Sequence, residues 1–281
     1  MFDPVKSPFV EEQLEKDNFL IEDNPHVTNK LCCIYFSSHG VYYPETEENF
    51  KDKIFQKNVF EWYKRRLPHV KRHVFVRDIR KQFYVEGINK TICNIDKLII
   101  FLKKVTFGFD VITVGSSAGG YISAIVGGEI KARCSFCFSG QFSLKDDFAY
   151  PTKELLLKHE NDCLYSKWYD ITNICKGNIV YMYPTKSECD IVQSTLLKKG
   201  HNEANIIYFP MKAKTHGIPL YKPCIKKFIS LDLNEIQKIK SCFIKNNEIS
   251  LFLFSLKLLG IKGTIKGLVI ELILFLRKII K

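Results

Sequence analysis

The sequence predicts an α/β protein: a mainly parallel central sheet with helices on both faces, followed by a C-terminal helical tail that is both basic and apolar. Three observations carry this. Short β-branched apolar runs alternate with longer stretches of helical periodicity, the order of repeated β-α-β units. The runs are apolar throughout, as strands covered on both faces are. The chain has 281 residues, 46% hydrophobic and 26% charged, which is enough to bury one large core.

Taken in order, residues 1–29 read as an N-terminal extension. Its start, MFDPVKSPFVEEQLEKDN, is acidic and lacks the apolar region of a secretory signal. The strand candidates are LCCIYFSS (31–38), HVFVRDI (73–79), VITVG (111–115), RCSFCFS (133–139), NIVYMYP (178–184) and NIIYFP (205–210), and the sheet is expected to begin at the first of them. NIDKLIIFLKK (94–104) has apolar residues at i, i+3, i+4 and i+7. GYISAIVGGEI (120–130) is small and apolar, suited to close packing on a sheet. IVQSTLLKK (191–199) ends at Gly200, a helix C-cap. Right-handed crossovers then put the functional loops at the carboxyl ends of the strands.

The α/β domain is expected over 30–230 and a C-terminal helical segment over 231–281. From Ile249 the chain is strongly apolar, with Lys257, Lys262, Lys266, Arg277, Lys278 and Lys281 interspersed. Its uncharged stretches are shorter than the roughly 20 residues of a membrane span. Three roles fit equally: an interfacial amphipathic helix, a partner-docking hairpin, or helices packed on the α/β domain.

The net charge of +12 suits an anionic partner such as a phosphorylated cofactor, an acidic glycan or a membrane surface, and a general bias toward lysine gives the same value. Nucleic acid is not expected as a partner. Ten cysteines lie mostly in apolar runs. Cys134 and Cys137 have the C-x-x-C spacing, but no second pair completes a zinc site, so no metal is expected. They read as buried free thiols in a reducing compartment, which points to the cytoplasm, with peripheral contact at the inner membrane if the tail docks there.

The chemistry centres on VITVGSSAGGYISAIVGG (111–128), where Gly115 and Gly119 bracket Ser117 in a G-x-S-x-G pattern between a strand and a helix. That pattern puts a serine on a sharp turn with its hydroxyl exposed. Spacing assigns the nucleophile to Ser117 and leaves Ser116 a structural place. A phosphate loop is excluded, because Tyr121 stands where it needs lysine and no G-x-G-x-x-G is present.

A base should follow in chain order, which leaves His159, His201 and His216. His201 precedes the last strand, at the wrong end of the sheet. His159 lies in a charged helical segment, LLLKHEND, and reads as solvated. His216 leaves the strand NIIYFP through MKAKT, at the same sheet end as Ser117. The acid should leave the preceding strand, where TKSECDIVQ offers Asp190. Its competing role is a helix N-cap, and its rivals are Glu188, Asp146 and Asp147. For the oxyanion, one donor is the N–H of Ala118. A second comes from Ser38, His39 or Gly40 in FSSHGVYYP (36–44), where His39 either contacts substrate or caps the loop.

Together Gly115-Ser116-Ser117-Ala118-Gly119, Asp190 and Thr215-His216-Gly217 resemble the α/β-hydrolase superfamily over roughly residues 30–230, in a compact form without a long cap insertion. FSSHGVYYPETEENF, FVRDIRKQFYVEGIN and VGSSAGGYISA are more narrowly similar to bacterial α/β-hydrolase-like proteins of surface-polysaccharide biosynthesis, among them O-acetyltransferases. The resemblance implies acyl transfer or ester hydrolysis through Ser117, His216 and Asp190 on a glycan or small ester. The triad requires no cofactor, and acetyl-CoA is the acyl donor in the transferase form. Arg77, Arg80 and Lys81 would then hold a CoA phosphate or an acidic glycan, or be ordinary surface charge. The competing class is a non-catalytic glycan-binding component, docked through the tail to a membrane-bound biosynthetic complex.

Overall fold

The computed structural model describes residues 2–145 and 152–279. Among them, seven strands form one sheet in the order β1-β3-β2-β4-β5-β6-β7. They are β1 (Phe19–Asp23), β2 (Leu31–Phe36), β3 (Arg72–Val76), β4 (Asp110–Ser116), β5 (Cys134–Phe138), β6 (Asn178–Pro184) and β7 (Asn205–Met211). The α-helices among the described residues are α1 (Pro8–Gln13), α2 (Glu47–Phe50), α3 (Ile95–Val105), α4 (Ala118–Glu129), α5 (Thr152–Lys158), α6 (Cys163–Ser166), α7 (Glu188–Lys199), α8 (Lys222–Ile229), α9 (Leu233–Ser241) and α10 (Leu251–Ile279).

All six expected strands are present and pair in parallel. Two boundaries differ from the sequence expectation. The sheet begins at residue 19, not 31, because FLIED forms β1 antiparallel to β3, with Phe19 opposite Val76 and Asp23 opposite Arg72. The Arg72 guanidinium grips the Asp23 carboxylate at 2.7 Å across this pair and holds its pKa below the usual range. The third strand stops at Val76, before Arg77 and Asp78. There the Asp78 carboxylate accepts the N–H groups of Arg80, Gln82 and Tyr84 and bends the chain away from the sheet.

Successive strand residues point to opposite faces. Cys32, Ile34 and Phe36 pack with Leu98, Leu102, Tyr121 and Ile122, so α3 and α4 cover one face. Cys33, Tyr35 and Phe75 belong to the other, covered by Phe228 of α8, Ile236 of α9 and Phe254 of α10. The side chain of Asn94 caps α3 by accepting from Lys97 N at 2.8 Å. Central β4 runs into α4 through one turn residue, and the arrangement is α/β-hydrolase-like. The register aligns Phe36 with Gly115, and Ser116 with Phe138. The loops after β2, β4 and β5 therefore leave the sheet side by side.

The C-terminal tail is one long helix with a break at Gly260, where φ is 69° and ψ −176°. Before the break Phe254 and Leu258 are buried in the second core cluster, and Ile249 bridges to Met211 at the end of β7. Among the described residues no helix is long and apolar enough to cross a membrane. The ten cysteines are unbridged, and burial pushes the Cys134 thiol up to about 12.

Candidate active site

Ser117 is the single residue between β4 and α4, with φ 55° and ψ −122°, a conformation that non-glycine residues rarely adopt. The surrounding backbone fixes it there. Ser117 N donates to Phe138 O at 2.9 Å, and Ser117 O accepts from Gly120 N and Tyr121 N at 2.8 and 3.0 Å. Both flanking glycines are required by space. A Cβ on Gly115 would lie 1.9 Å from Gly119 O, and one on Gly119 would lie 2.4 Å from Phe36 O. Ser116 is buried as the last residue of β4, whereas Ser117 is partly open to solvent.

Ser117 Oγ is 2.9 Å from His216 Nε2, and His216 Nδ1 is 2.9 Å from Asp190 Oδ2. An ionised carboxylate only accepts, so Nδ1 carries the proton donated to Asp190 and Nε2 accepts from the Ser117 hydroxyl. Asp190 is buried while His216 is exposed, so the acid is shielded from water and the ring is not. Asp190 lies in the first turn of α7, but the N-cap position belongs to Ser187, and the carboxylate turns to the imidazole.

The rival residues lie elsewhere. Glu188 is exposed, and its side chain makes no hydrogen bond or ion pair among the described residues. Asp146 and Asp147 lie outside the described residues. His201 is exposed ahead of β7, at the opposite end of the sheet. His159 is not solvated as its charged surroundings suggest. It bonds Glu86 Oε1 at 2.8 Å and stacks on Tyr165 at 4.0 Å, which shields it from water.

The position of His216 depends on a residue the sequence did not single out. Ser139, just beyond β5 with φ 45°, donates from Oγ to Gly217 O at 2.6 Å and accepts from Gly217 N at 3.2 Å. This clamp ties the His216 loop to the central sheet. In sequence Ser139 looks like the last member of an apolar strand, and its partner is 78 residues away. Ser139→Ala frees the loop. The expected result is a fall in kcat of about tenfold with KM little changed, measured on a soluble acetyl ester. An unchanged kcat would remove Ser139 from the positioning of His216.

The loop after β2 is a short 3-10 turn, His39–Tyr42, capped by Ser38, whose Oγ accepts from Gly40 N at 3.0 Å. Ser38 N donates to Glu61 Oε2 at 2.5 Å. The N–H groups of Ser38 and Gly40, both expected as oxyanion donors, are therefore engaged within the chain. Those of Ala118 and His39 are the first of their helical turns and have no intrahelical partner. Glu61 was missed because it lies 23 residues beyond its partner. Burial pushes its carboxyl up.

The His39 ring packs edge-on against Phe83 with centroids 4.6 Å apart, and its Nε2 is buried without a partner among the described residues. Burial lowers its pKa to about 3, and the positive charge of Lys81 adds to this, so the ring is neutral.

Beneath this loop the turn from Asp78 is strained, with Lys81, Phe83 and Tyr84 at φ 57°, 53° and 61°. It seats Phe83 against His39, and the Tyr84 hydroxyl donates to Ser37 O at 2.7 Å. The basic residues expected here as an anion site or as surface charge are paired within the chain, two of them in the interior. Arg77 is buried and donates to Asn18 Oδ1 and Val59 O. Lys81 is buried against Glu45 at 2.6 Å, and Arg80 pairs with Glu11 and Glu86.

Cys189 Sγ lies 3.8 Å from His216 Nδ1 and 3.7 Å from Asp190 Oδ2, and the three potential ligand atoms are within 4.8 Å of one another. A thiophilic cation could be held there, but only by displacing the proton that joins His216 to Asp190.

No family model matches the chain, and no curated protein matches it. Among solved structures, it is similar to a protein of unknown function from Staphylococcus aureus subsp. aureus Mu50 at 10% identity, over 81% of this chain and 92% of that one, with a TM-score of 0.45. It is also similar to the capsule O-acetyltransferase of Neisseria meningitidis serogroup A at 14% identity, over 83% and 93% of the two chains, TM-score 0.45. A third is a thermophilic esterase, Est2, from Thermogutta terrifontis, at 12% identity over 82% and 89%, TM-score 0.43. Likenesses this distant decide nothing about the site, whose chemistry is read from its own atoms.

Proposed function

We propose that the chain is a serine-dependent acyl-transfer enzyme, acting either as an ester hydrolase or as an O-acyltransferase on a surface-glycan hydroxyl. The observation that carries this is the relay itself: a serine held on a strained turn, hydrogen-bonded to an imidazole whose other nitrogen meets a buried carboxylate. A component that only binds glycan has no use for that arrangement.

In this mechanism Ser117 Oγ attacks the acyl carbonyl while His216 Nε2 takes its proton. Asp190 holds the ring in the required tautomer and stabilises the imidazolium. The developing oxyanion is met by the N–H groups of Ala118 and His39, and His216 then protonates the leaving group. The acyl-Ser117 ester is cleared by an acceptor whose proton passes to His216 and from it to the departing Ser117 Oγ, which restores the hydroxyl. Water as acceptor gives hydrolysis. A sugar hydroxyl gives transfer, with acetyl-CoA as the acyl donor. Neutral His39, its ring packed against Phe83, would then serve through its backbone N–H.

Purified protein given acetyl-CoA and a short-chain acetyl ester, with and without capsular polysaccharide, separates the two forms. Acceptor-dependent CoA release supports the transferase, and acetyl-ester hydrolysis without an acceptor supports the esterase. No turnover of either substrate, and no acetylated Ser117 by mass spectrometry, would sink both. Added Zn²⁺ is expected to inhibit and a chelator to restore activity. Cys189→Ser is expected to raise the Zn²⁺ concentration required. Equal inhibition of the variant would place the cation elsewhere.

A further inference from the structure

After the break at Gly260, α10 presents two distinct faces. One packs on the protein: Thr264 is buried, a Cβ on Gly267 would lie 3.4 Å from the Cβ of Tyr221, and Glu271 faces Lys222 N at 3.5 Å. The second is apolar and open. Ile261, Ile265, Leu268, Leu272 and Leu276 recur at helical spacing and are 39–69% exposed, and Val269 and Ile273 widen the stripe. Lys262 and Lys266, both exposed, lie along one edge of this stripe, beside Val269 and Ile273.

An exposed stripe of this size is unusual for a surface that meets only water. Its rim says what covers it. From residue 249 to the end there are six basic residues and one acidic residue, and that single acid, Glu271, is turned toward α8. A second copy of the same helix would bring two basic rims together. A surface of anionic headgroups over acyl chains satisfies both the stripe and the rim, with the lysine stems lying along the apolar boundary. The first half of α10 is anchored by Phe254 and Leu258 in the core, so docking would be rigidly coupled to the sheet.

We propose that the half of α10 beyond Gly260 is an interfacial helix that docks the protein on anionic lipid, lying in the plane of the surface. This is independent of the chemistry assigned to Ser117.

The test is co-sedimentation of the full chain with vesicles of phosphatidylcholine alone, or with about one-third phosphatidylglycerol. The expected result is binding to the anionic vesicles at about tenfold lower lipid concentration or better, weakened by about 0.5 M salt. The double variant Leu268→Ser/Leu272→Ser is expected to lose about tenfold or more of the binding to either vesicle. Lys262→Glu/Lys266→Glu is expected to lose the preference for phosphatidylglycerol. All four positions are exposed, so thermal midpoints and hydrolysis of a soluble ester should match the parent chain, which separates a failure here from a failure at Ser117. Three results would overturn the proposal: no binding to either vesicle, binding that both double variants retain, or a dimer that Leu268→Ser/Leu272→Ser dissolves with no vesicle binding in the parent chain.

Discussion

Ser117→Ala is expected to lower kcat on an acetyl ester by about 10⁴-fold or more, with KM close to that of the parent chain. The substitution removes one oxygen from a half-exposed site and leaves the elbow unchanged, because alanine is no more strained at φ 55° than serine. Asp190→Asn is expected to cost about 10³–10⁴-fold, since an amide at this buried position no longer selects the tautomer with the proton on Nδ1. His216→Ala should resemble Ser117→Ala, and the double variant should be no worse than either alone, because the groups act as a unit. Additive losses in the double variant would mean that the two side chains serve different steps. Retained kcat in Ser117→Ala would remove the serine from the chemistry.

The second large effect is on folding. Gly115→Ala puts a methyl group 1.9 Å from Gly119 O, and Gly119→Ala puts one 2.4 Å from Phe36 O. Both obstacles are backbone atoms, one inside the elbow and one at the end of a central strand, so neither can swing aside. Each variant is expected to lose about 3 kcal/mol or more of stability in urea unfolding, at or beyond the upper end of ordinary overpacking. Gly108→Ala is the control. Gly108 has a positive φ, 79°, which Gly115 and Gly119 do not, and nothing lies within 4 Å of its Cβ position, so only the backbone cost of about 1 kcal/mol applies. Losses at Gly115 no larger than at Gly108 would show that the close approach at the elbow does not set the requirement for glycine.

The elbow was legible in the sequence because its constraint is local. The spacing of Gly115, Ser117 and Gly119 is imposed by atoms within a few residues, and the flanking strand and helix have their own periodicities. His216 and Asp190 could be placed by chain order and by which strand end they leave. What escaped depends on partners distant in the chain. β1 exists because FLIED meets β3 more than fifty residues later, and five residues ending in two acids carry no alternation to announce it. Ser139 and Glu61 act through bonds to Gly217 and Ser38, so their roles appear only once the loops stand side by side. The basic cluster at 77–81 looked like solvated charge because its partners Asn18 and Glu45 lie on separate segments. The tail reads as uniformly apolar and basic in sequence. Only the break at Gly260 separates a half buried in the core from a half whose apolar face is open.

Covalent labelling of the folded protein with a serine-directed phosphonate tests the central claim most directly. The parent chain and Ser116→Ala should each take up one label, mapped by peptide mass spectrometry to Ser117. Ser117→Ala should take up none, and His216→Ala should react far more slowly. A folded parent chain that stays unlabelled, or a label that persists in Ser117→Ala, would contradict the assignment of Ser117 as the nucleophile.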